Sequence, residues 1–539
     1  MKANHSLLFL GNLLFYRNKK ENGYYKIQDE TRSIYMTKQH DIDVLIVGAG
    51  PSGSTLAADL LRRGLRVRLI DKAPHAFKGS RAKGVQPRTQ EVFEDLGILD
   101  EAHEEGAPYP LAGFHLGPFT IPWRMQKRNR ATSDVPYPNI LLLAQHHTDA
   151  ILHRLLFRLG LRIEFDTALV GFEQDADGVT ATLSSGETVT SRYLVGADGG
   201  SSTVRKGAGI RFVGETDNSD RTLIIDGTID GLSRNRWHMW PRTHGKSVGA
   251  CPLPHSDQFQ IMIRLNADES SELDEAAMAA QFKTLTGYKL HDITWTSVFR
   301  PNVRLVENYR MDRVFLIGDA AHVHTPAGAQ GLNTGVQDAY NLGWKLGQVI
   351  TGAPDSLLDS YQAERQPIAA RVLGKSSELY SGLDKQRLSS LKRGDEERQL
   401  GISYHAGPLA RIDTPATKTL KVGDRAPDAA CTGPGGIKRL FDVFQGPHFT
   451  LVAFGIHASM ALSELTWPNS GAELRRYSVS TEQQVEHEYL KDTTGKLTSI
   501  YGIYCDTLVL IRPDGYIGSI IMTDWLTAFD KMKSMITPS

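Results

Sequence analysis

Cysteine is scarce in this sequence: the 539 residues contain three, Cys251, Cys431 and Cys505. None of them forms a C-x-x-C pair or has the spacing of a metal site, so we expect neither a disulfide framework nor a bound metal. Long apolar runs are lacking too, because no stretch approaches the roughly 20 apolar residues of a membrane-spanning helix. We therefore expect a cytoplasmic protein with reduced thiols and no membrane partner.

An excess of one charge is also missing. Lysine plus arginine and aspartate plus glutamate number 61 each, so the formal net charge is zero. This balance gives no electrostatic reason to propose nucleic acid or an anionic membrane as a partner. The length allows two or three domains with a large core.

The first 40 residues do not have the pattern of a folded core. The apolar residues 6–16 are too few to span a membrane, Gly11 and Asn12 interrupt them, and no small-residue cleavage site follows. The residues up to 40 are then polar and irregular. We predict a poorly ordered extension over residues 1–40, with Met36 as a candidate translation start. The alternative is a short arm that docks through its apolar residues.

The first motif that carries chemistry is a glycine-rich turn. Residues 44–47 are an apolar run, typical of a strand buried on both faces, and Gly48, Gly50 and Gly53 follow with the spacing G-x-G-x-x-G. Gly48 permits a tight turn, Gly50 lets the backbone approach a pyrophosphate, and Gly53 lets a helix pack closely on the strand.

The helix after this turn begins at Pro51 and Ser52, and its N-terminal N–H groups can bind phosphate. A second predicted strand ends at Asp71, where an acid can accept hydrogen bonds from ribose hydroxyls, and Lys72 follows it. The turn, the helix and the acid together predict a bound dinucleotide. The motif alone does not separate FAD from NAD.

A second unit of strand, loop and helix contains Asp198 and Gly199. An alternating stretch before it predicts a hairpin that feeds a short buried strand at 193–195. Ser202 and Arg205 then begin a helix. From these residues alone two interpretations stay open, an ordinary turn with a helix cap or a second cofactor loop.

A third apolar strand, residues 314–317, delivers a single carboxylate to a loop that is poor in side chains. Exposed backbone beside a helix N-terminus suits a flat, polar-edged ligand that must come very close, and it can stabilise negative charge. The candidate cofactor contacts in this segment are Asp319, Pro326, Gly331, Leu332 and Asn333.

Together these segments resemble the class A flavoprotein monooxygenases, the fold family of para-hydroxybenzoate hydroxylase and phenol hydroxylase. The resemblance rests on G-x-G-x-x-G at 48–53, Asp-Gly at 198–199 and Gly-Asp-Ala-Ala-His at 318–322, in that order. Residues 79–100 are similar to a segment of the phenol hydroxylase-like branch, which includes polyketide hydroxylases and rifampicin monooxygenase. The resemblance covers roughly residues 40–380 and implies FAD as the cofactor.

The resemblance also implies roles for single residues. Asp319 would contact the ribityl chain of the flavin, and Pro326 would face its reacting region. Arg81 matches an arginine that touches FAD and senses flavin movement, and Gln145 matches a glutamine that contacts the cofactor. Pro326 and Arg81 are therefore the candidates for a catalytic role. From the residues alone, Arg81 could be a solvated surface arginine and Gln145 a helix cap.

The chain has one complete dinucleotide fingerprint, so NADPH or NADH would bind only transiently beside FAD. The family reaction implied is reduction of FAD by NAD(P)H, addition of O₂ to form a flavin C4a-hydroperoxide, and transfer of oxygen to an aromatic ring. We therefore predict a monooxygenase that hydroxylates a phenolic or polycyclic aromatic small molecule. The alternatives are Baeyer–Villiger oxygenation, epoxidation or reduction of a non-phenolic secondary metabolite, and a binding protein on the same fold.

The predicted fold class is α/β. A Rossmann-like FAD-binding domain would span 41–384, with an interleaved antiparallel substrate sheet at about 211–310 and a linker at 385–420. Residues 421–539 resemble the thioredoxin-like C-terminal domain of phenol hydroxylase relatives, but they lack C-x-x-C. We expect this domain to have a structural or subunit-contact role, with a homodimer as the candidate assembly.

One histidine of the predicted substrate sheet is a candidate pocket residue. His238 lies between Trp237 and Trp240, in the segment where the family builds the sheet that covers its substrate. The alternative is that all three side chains belong to an aromatic sheet core.

Overall fold

The computed structural model describes residues 40–538 apart from 218–219, 267–268, 270–273, 326–329, 385–393, 411–416 and 480–487. Of the predicted N-terminal extension only His40 is described, and both Met36 and Pro326 lie outside the described residues. No helix of the described part is long and apolar enough to cross a membrane.

Twelve α-helices form within the described residues. They are α1 (Pro51–Leu61), α2 (Pro87–Asp95), α3 (Leu99–Glu105), α4 (Gln145–Arg158), α5 (Thr203–Gly207), α6 (Glu275–Thr286), α7 (Gly331–Ile350), α8 (Asp359–Asp384), α9 (Leu440–Phe444), α10 (Ile456–Ala461), α11 (Lys496–Ile500) and α12 (Trp525–Ile536). Short 3₁₀ turns connect several of them, and the one that bears on the site spans Gly318–Ala320.

The β-strands fall into five sheets. In the first half of the chain they are β1 (Ile42–Val47), β2 (Val67–Ile70), β3 (Gly84–Val85), β4 (Ala107–Pro108), β5 (Leu111–Leu116), β6 (Phe119–Trp123), β7 (Leu141–Leu142), β8 (Leu169–Gln174), β9 (Val179–Leu183), β10 (Thr188–Gly196), β11 (Phe212–Thr216), β12 (Arg221–Ile229), β13 (Arg236–Thr243), β14 (Lys246–Pro252) and β15 (Gln258–Leu265). The second half contributes β16 (Leu290–Phe299), β17 (Asn302–Val306), β18 (Arg310–Met311), β19 (Val314–Leu316), β20 (His322–Val323), β21 (Phe449–Phe454), β22 (Leu474–Val479), β23 (Glu488–Leu490), β24 (Thr507–Ile511) and β25 (Ile517–Ile521).

The first sheet is Rossmann-like and has the order β18-β19-β10-β1-β2. β1 pairs in parallel with β2 and β10, and β10 pairs in parallel with β19. Because both faces are covered, β1 is buried from Asp43 to Val47, in agreement with its continuous apolar run. The predicted hairpin is confirmed, since β9 and β10 pair antiparallel. The carboxyl ends of β1, β10 and β19 bring the three loops of the sequence motifs to one edge.

A second sheet of seven strands has the order β16-β12-β15-β14-β13-β5-β6. All its pairs are antiparallel except β13 with β5. The sheet therefore takes in residues 111–123, which precede the range 211–310 expected from the sequence. One face packs on α6, where Trp240 and Phe282 lie in a separate hydrophobic cluster.

The C-terminal residues form a mixed sheet with the order β23-β22-β21-β24-β25. β21 pairs in parallel with β22 and antiparallel with β24. Some buried side chains of this C-terminal sheet pack in a hydrophobic cluster of their own. Others, including Phe449 and Leu508, belong to the hydrophobic core of the first sheet. The C-terminal sheet is thus continuous with the main core through these buried side chains.

Candidate active site

The glycine-rich turn has one open side and two closed sides. A Cβ on Gly48 would overlap the backbone at Ala197, and a Cβ on Gly53 would overlap the carbonyl oxygen of Gly48. At Gly50, by contrast, an added Cβ would meet no atom within 4 Å. Close packing therefore fixes the turn from behind, and its backbone at Gly50 faces free space in which a pyrophosphate fits.

The helix α1 presents an uncapped N-terminus to this space. Gly50 is its N-cap, Pro51 occupies the first turn, and neither a capping side chain nor an acidic residue blocks the terminal N–H groups. Asp71 holds the turn in place, because its carboxylate accepts from the N–H of Ala49 and of Ala73, each at 2.8 Å. The positive end of α1 is thus free to bind an anion. Lys72, next to Asp71, is exposed.

A buried carboxyl group lies near the same turn. Asp149 of α4 is buried, one of its oxygens has no hydrogen-bond partner within the described structure, and burial raises its pKa to about 8. One turn further along α4, His153 Nε2 donates to the carbonyl of Ala49 at 2.9 Å. No sequence motif indicates Asp149, because its role depends on burial.

The Asp198 carboxylate caps the helix α5. It accepts from Ser202 Oγ at 2.5 Å, from the N–H of Thr203 at 2.6 Å and from that of Val204 at 3.2 Å. Asp198 thus caps α5, and the contact of this loop with a cofactor stays a prediction. Gly199 has a φ of 78°, the left-handed conformation that glycine adopts without strain.

Arg205 joins the second motif to the third. Its guanidinium donates to the carbonyl of Gly200 at 2.8 Å and to the carbonyl of Ala320 at 3.0 Å. These bonds fix the loop after β10 against the 3₁₀ turn after β19. In that turn Asp319 is exposed, whereas its neighbours Gly318 and Ala320 are buried. Asp319 can therefore reach a ligand at this edge of the sheet.

Ser52 connects the first motif to the third. Its hydroxyl occupies the space that a Cβ would need at Gly318 and also at Gly335 of α7. The start of α1, the 3₁₀ turn and the first turns of α7 consequently meet around one small side chain. The structure therefore brings the sequence-predicted residues of these two motifs together.

The N-terminus of α7 is the second uncapped helix end of the site. The helix begins at Gly331 after Gln330, with no side-chain cap and no acid in its first turn, and Leu332 is half-buried. Asn333 is fully buried, and its amide accepts from the N–H of Gln86 and donates to the carbonyl of Gly84, both at 2.8 Å. The Asn333 side chain, predicted to contact the cofactor, thus fixes α7 against β3.

The segment that contains Arg81 lies between α4 and the second sheet. Arg81 itself is exposed, and Gln145 Oε1 accepts from the N–H of Ala82 at 3.4 Å. Gln145 is the first residue of α4, so it holds this segment beside the helix. Gln145 therefore fixes the backbone of this segment, whereas the side chain of Arg81 is exposed.

Next to Arg81 the chain turns inward and buries a lysine. Lys83 donates to Gln260 of β15, and its ammonium lies 4.7 Å from the ring centroid of Trp237. Gln260 in turn donates to Ser80 Oγ at 2.5 Å, and Ser80 donates to the buried Asp226. Burial lowers the pKa of Lys83 and raises that of Asp226. This network ties the Arg81 segment to the second sheet, and no sequence motif indicates it.

A cavity of about 920 Å³ has Trp237 in its wall. Aromatic side chains of Tyr109, Tyr137 and Trp237 line it, as do four basic residues of the segment 124–130. Gln86 lines it as well, and because Asn333 binds the N–H of Gln86, the cavity begins beside the start of α7.

His238, a candidate for the pocket, does not line this cavity. It is buried, its ring stacks on Trp240, and it bonds to His115 at 2.8 Å and to the carbonyl of Ser233 at 2.6 Å. Because side chains alternate along β13, Trp237 faces the cavity and its neighbour faces the core. The aromatic-core interpretation is therefore the one that the structure supports for His238.

Comparison with known proteins agrees with this geometry. A family model described as "FAD binding domain" matches residues 41–376. A flavin-dependent monooxygenase of Mycobacteroides abscessus is 40% identical over 496 residues, which is 89% of this chain and 97% of that protein. The chain therefore belongs to the FAD-binding family of flavin-dependent monooxygenases, and FAD is its cofactor.

Two further relatives act on polycyclic compounds according to their names. The 6-methylpretetramide 4-monooxygenase of Streptomyces rimosus is 34% identical over 514 residues, 88% of this chain and 90% of that protein. The solved structure of an anhydrotetracycline hydroxylase from Streptomyces rimosus matches with a TM-score of 0.71 and 29% identity, and the match covers 92% of this chain and 100% of that one.

The described residues fit FAD. The open side of Gly50 and the free N-terminus of α1 suit its pyrophosphate, and the uncapped start of α7 suits the polar edge of its ring system. Asp319 is exposed in the 3₁₀ turn that follows β19 at the same edge of the sheet.

Proposed function

We propose that this enzyme hydroxylates a polycyclic phenolic compound, with NADPH or NADH as a transient reductant and O₂ as the source of the inserted oxygen. The observation that carries the proposal is the cavity of about 920 Å³ beside the start of α7. Ligand pockets for molecules of drug size measure roughly 300–1,000 Å³, so a fused-ring substrate fits. The names of the relatives, a pretetramide and an anhydrotetracycline oxygenase, support the same class.

Bound FAD supplies the oxygen-activating chemistry that no side chain provides. We propose that Gly48, Gly50, Pro51, Ser52 and Gly53 bind its pyrophosphate. Asp71 and Lys72 would bind the ribose, and the remaining contacts would come from Arg81, Gln145, Asp198, Gly199, Asp319, Pro326, Gly331, Leu332 and Asn333. For Asn333 this contact would come from the backbone, since its amide is bound to β3.

The cavity walls would position the substrate and exclude water from it. Tyr109, Tyr137 and Trp237 offer flat apolar faces for stacked rings. Pro326 and Arg81 keep their proposed catalytic roles, Pro326 opposite the reacting ring and Arg81 as a contact that changes as the flavin moves. Arg81 is exposed and has no ion pair within the described structure, which fits a movable contact.

For the C-terminal residues we propose a thioredoxin-like fold without dithiol chemistry. The five-stranded mixed sheet with β21 at its centre supports this fold. Cys431 and Cys505 are both free, and burial raises the pKa of the Cys431 thiol to about 12, the opposite of a reactive cysteine. A structural role is therefore proposed. Homodimer formation stays a prediction, which the mass of the protein in solution can test.

The proposed reaction can be tested by turnover. Purified enzyme loaded with FAD is mixed with NADPH and a panel of phenols, naphthols, anthraquinones and anhydrotetracycline, and both NADPH oxidation and product mass are recorded. We expect faster oxidation with a polycyclic phenol and a product heavier by one oxygen atom at a ring carbon. An oxygen inserted into a carbon–carbon bond would indicate Baeyer–Villiger chemistry instead. Oxidation that no polycyclic phenol accelerates would contradict the proposal.

A further inference from the structure

The cavity that we assign to the substrate has a strongly basic border. Arg124, Lys127, Arg128 and Arg130 all line it, and all four are exposed. They lie within a segment of seven residues, 124–130, that contains no acidic residue. Since the whole chain has a formal net charge of zero, this concentration of positive charge is local.

These four side chains have no ion-pair partner in the described part of the chain. Elsewhere exposed arginines do pair: Arg154 lies 2.5 Å from Glu105, and Arg158 lies 2.7 Å from Glu101. The one acidic residue that lines the cavity is Glu397. It is buried, and its carboxylate accepts from the N–H of Gly394 at 2.7 Å.

The basic segment is held in place by its backbone. Arg398 donates to the carbonyl of Lys127 at 2.9 Å, and Asn139 donates to the carbonyl of Asn129 at 2.8 Å. Asn139 also accepts from the N–H of Asn129 at 2.9 Å. The side chains of Lys127 and Arg128 therefore stay beside the cavity, although each of them repels the other cations of the segment.

We propose that this border selects substrates that carry a negative charge, namely polycyclic phenols with a carboxylate or an ionised enol outside the ring that is hydroxylated. The inference rests on the proposed function, because it assigns the cavity to the substrate. Aromatic walls bind the fused rings in the interior, and the cations at the border bind the anionic group. Clefts lined by one sign of charge also raise the local concentration of the opposite charge.

Binding to the oxidised, FAD-loaded enzyme in the absence of NADPH tests this inference. The probes are 2-naphthol and 3-hydroxy-2-naphthoate, which share the same rings and hydroxyl and differ by one carboxylate. Calorimetry at neutral pH should show about tenfold tighter binding of the carboxylate, and added salt should reduce this preference because exposed charges are screened. The double variant Lys127→Gln, Arg128→Gln should lose most of the preference and leave the affinity for 2-naphthol within about twofold.

The control is Lys531→Gln, which removes an exposed lysine of α12 far from the cavity in sequence and absent from its lining. It should keep the preference of the unchanged enzyme. Equal affinity for the two probes at low salt would overturn the inference. The inference would also be overturned if the double variant bound NADPH more weakly but bound 3-hydroxy-2-naphthoate with unchanged affinity. The cations would then bind the reductant.

These measurements separate the inference from the proposed function. Binding is recorded without turnover, so a lack of hydroxylated product contradicts the proposed function and does not change the charge preference. Conversely, an enzyme that hydroxylates neutral polycyclic phenols as well as their carboxylates supports the proposed function and contradicts the inference.

Discussion

Glu364 and Arg512 form a buried, bidentate ion pair. Arg512 Nη1 donates to Glu364 Oε1 at 2.7 Å, and its Nη2 donates to Oε2 at 2.9 Å. Lys345 of α7 also donates to Glu364, at 2.8 Å. Because Glu364 belongs to α8 and Arg512 follows β24, the pair fastens the C-terminal sheet to the two long helices of the FAD-binding part.

Removing this carboxylate should destabilise the protein strongly. Burial opposes ionisation of Glu364, but the charges of Arg512 and Lys345 outweigh it and hold its pKa at about 2. Glu364→Gln leaves Lys345 buried without its carboxylate partner and leaves Arg512 with Asp514 alone. Breaking a buried pair in this way costs about 3–5 kcal/mol. Urea unfolding should show this loss in the free energy of unfolding.

The matched control for this variant is Arg154→Gln. Arg154 pairs with Glu101 and Glu105 on the surface, where its side chain is half exposed. Surface pairs of this kind contribute little. Equal losses in the two variants would contradict the assigned role of Glu364.

A methyl group at Gly53 should abolish FAD binding. In Gly53→Ala the new Cβ would overlap the carbonyl oxygen of Gly48, so either the turn or α1 must move. The measurement is the ratio of flavin to protein absorbance after purification, which should fall well below that of the unchanged enzyme. Gly374→Ala is the control, since this exposed glycine in α8 has free space for a Cβ. Its flavin content should not change, and its stability should rise by up to about 1 kcal/mol.

Asn333→Ala should weaken both the fold and the binding of FAD. The change leaves the N–H of Gln86 and the carbonyl of Gly84 without their partner, and an unsatisfied buried group costs about 1–3 kcal/mol. The start of α7 would then be free to shift away from β3. Flavin titration of the apoprotein should give a higher dissociation constant. The control is Asn266→Ala, because Asn266 is exposed and its hydrogen bonds with other described residues use its backbone. An unchanged dissociation constant for Asn333→Ala would contradict the role of its amide.

Local patterns in the sequence predict the parts of the site that depend on near neighbours. The continuous apolar run of β1 and the spacing of Gly48, Gly50 and Gly53 predict the parallel strand, the tight turn and the helix, and the structure contains all three. The exposed Asp319 likewise follows a short buried strand, as its motif indicates. In these cases backbone geometry and side-chain size within a few residues decide the structure.

Features that depend on distant parts of the chain could not be predicted from local sequence patterns. β5 joins the second sheet through pairing with β13, more than a hundred residues later, and no local signal specifies this partner. The contacts of the Asn333 amide with the backbone of Gly84 and Gln86 are also set by residues nearly 250 positions earlier in the chain. Burial, which decides the protonation of Asp149, is likewise a property of the packed structure.

The pair His115 and His238 should make the stability depend on pH. The carbonyl of Ser233 can only accept, so His238 Nε2 donates to it at 2.6 Å. Burial lowers the pKa of His238, and the Nδ1 of its neutral ring accepts from His115 Nε2 at 2.8 Å. Burial, together with the neighbouring His238 and Arg236, lowers the pKa of His115 to about 4.

The unfolded chain takes up this proton near pH 6.5, whereas the folded protein does so only near pH 4. The stability that His115 contributes is therefore complete above pH 6.5 and is lost as the pH falls from 6.5 towards 4. Asp149 acts in the opposite direction, because its pKa is raised from 3.8 to about 8 and its contribution is lost as the pH rises over that range. The two effects overlap, so the melting temperature of the unchanged protein alone does not isolate either.

The informative measurement is the difference in melting temperature between the unchanged protein and His115→Gln across pH 4.5 to 7.5, the range in which His115 responds. A glutamine amide can still donate to His238 Nδ1 but cannot be protonated, so the variant should lose less stability than the unchanged protein as the pH falls. The difference in melting temperature between the unchanged protein and the variant should therefore become smaller, or change sign, as the pH is lowered. A difference that is independent of pH would mean that His115 has the same pKa in the folded and the unfolded chain, and the lowered pKa of His115 would be contradicted.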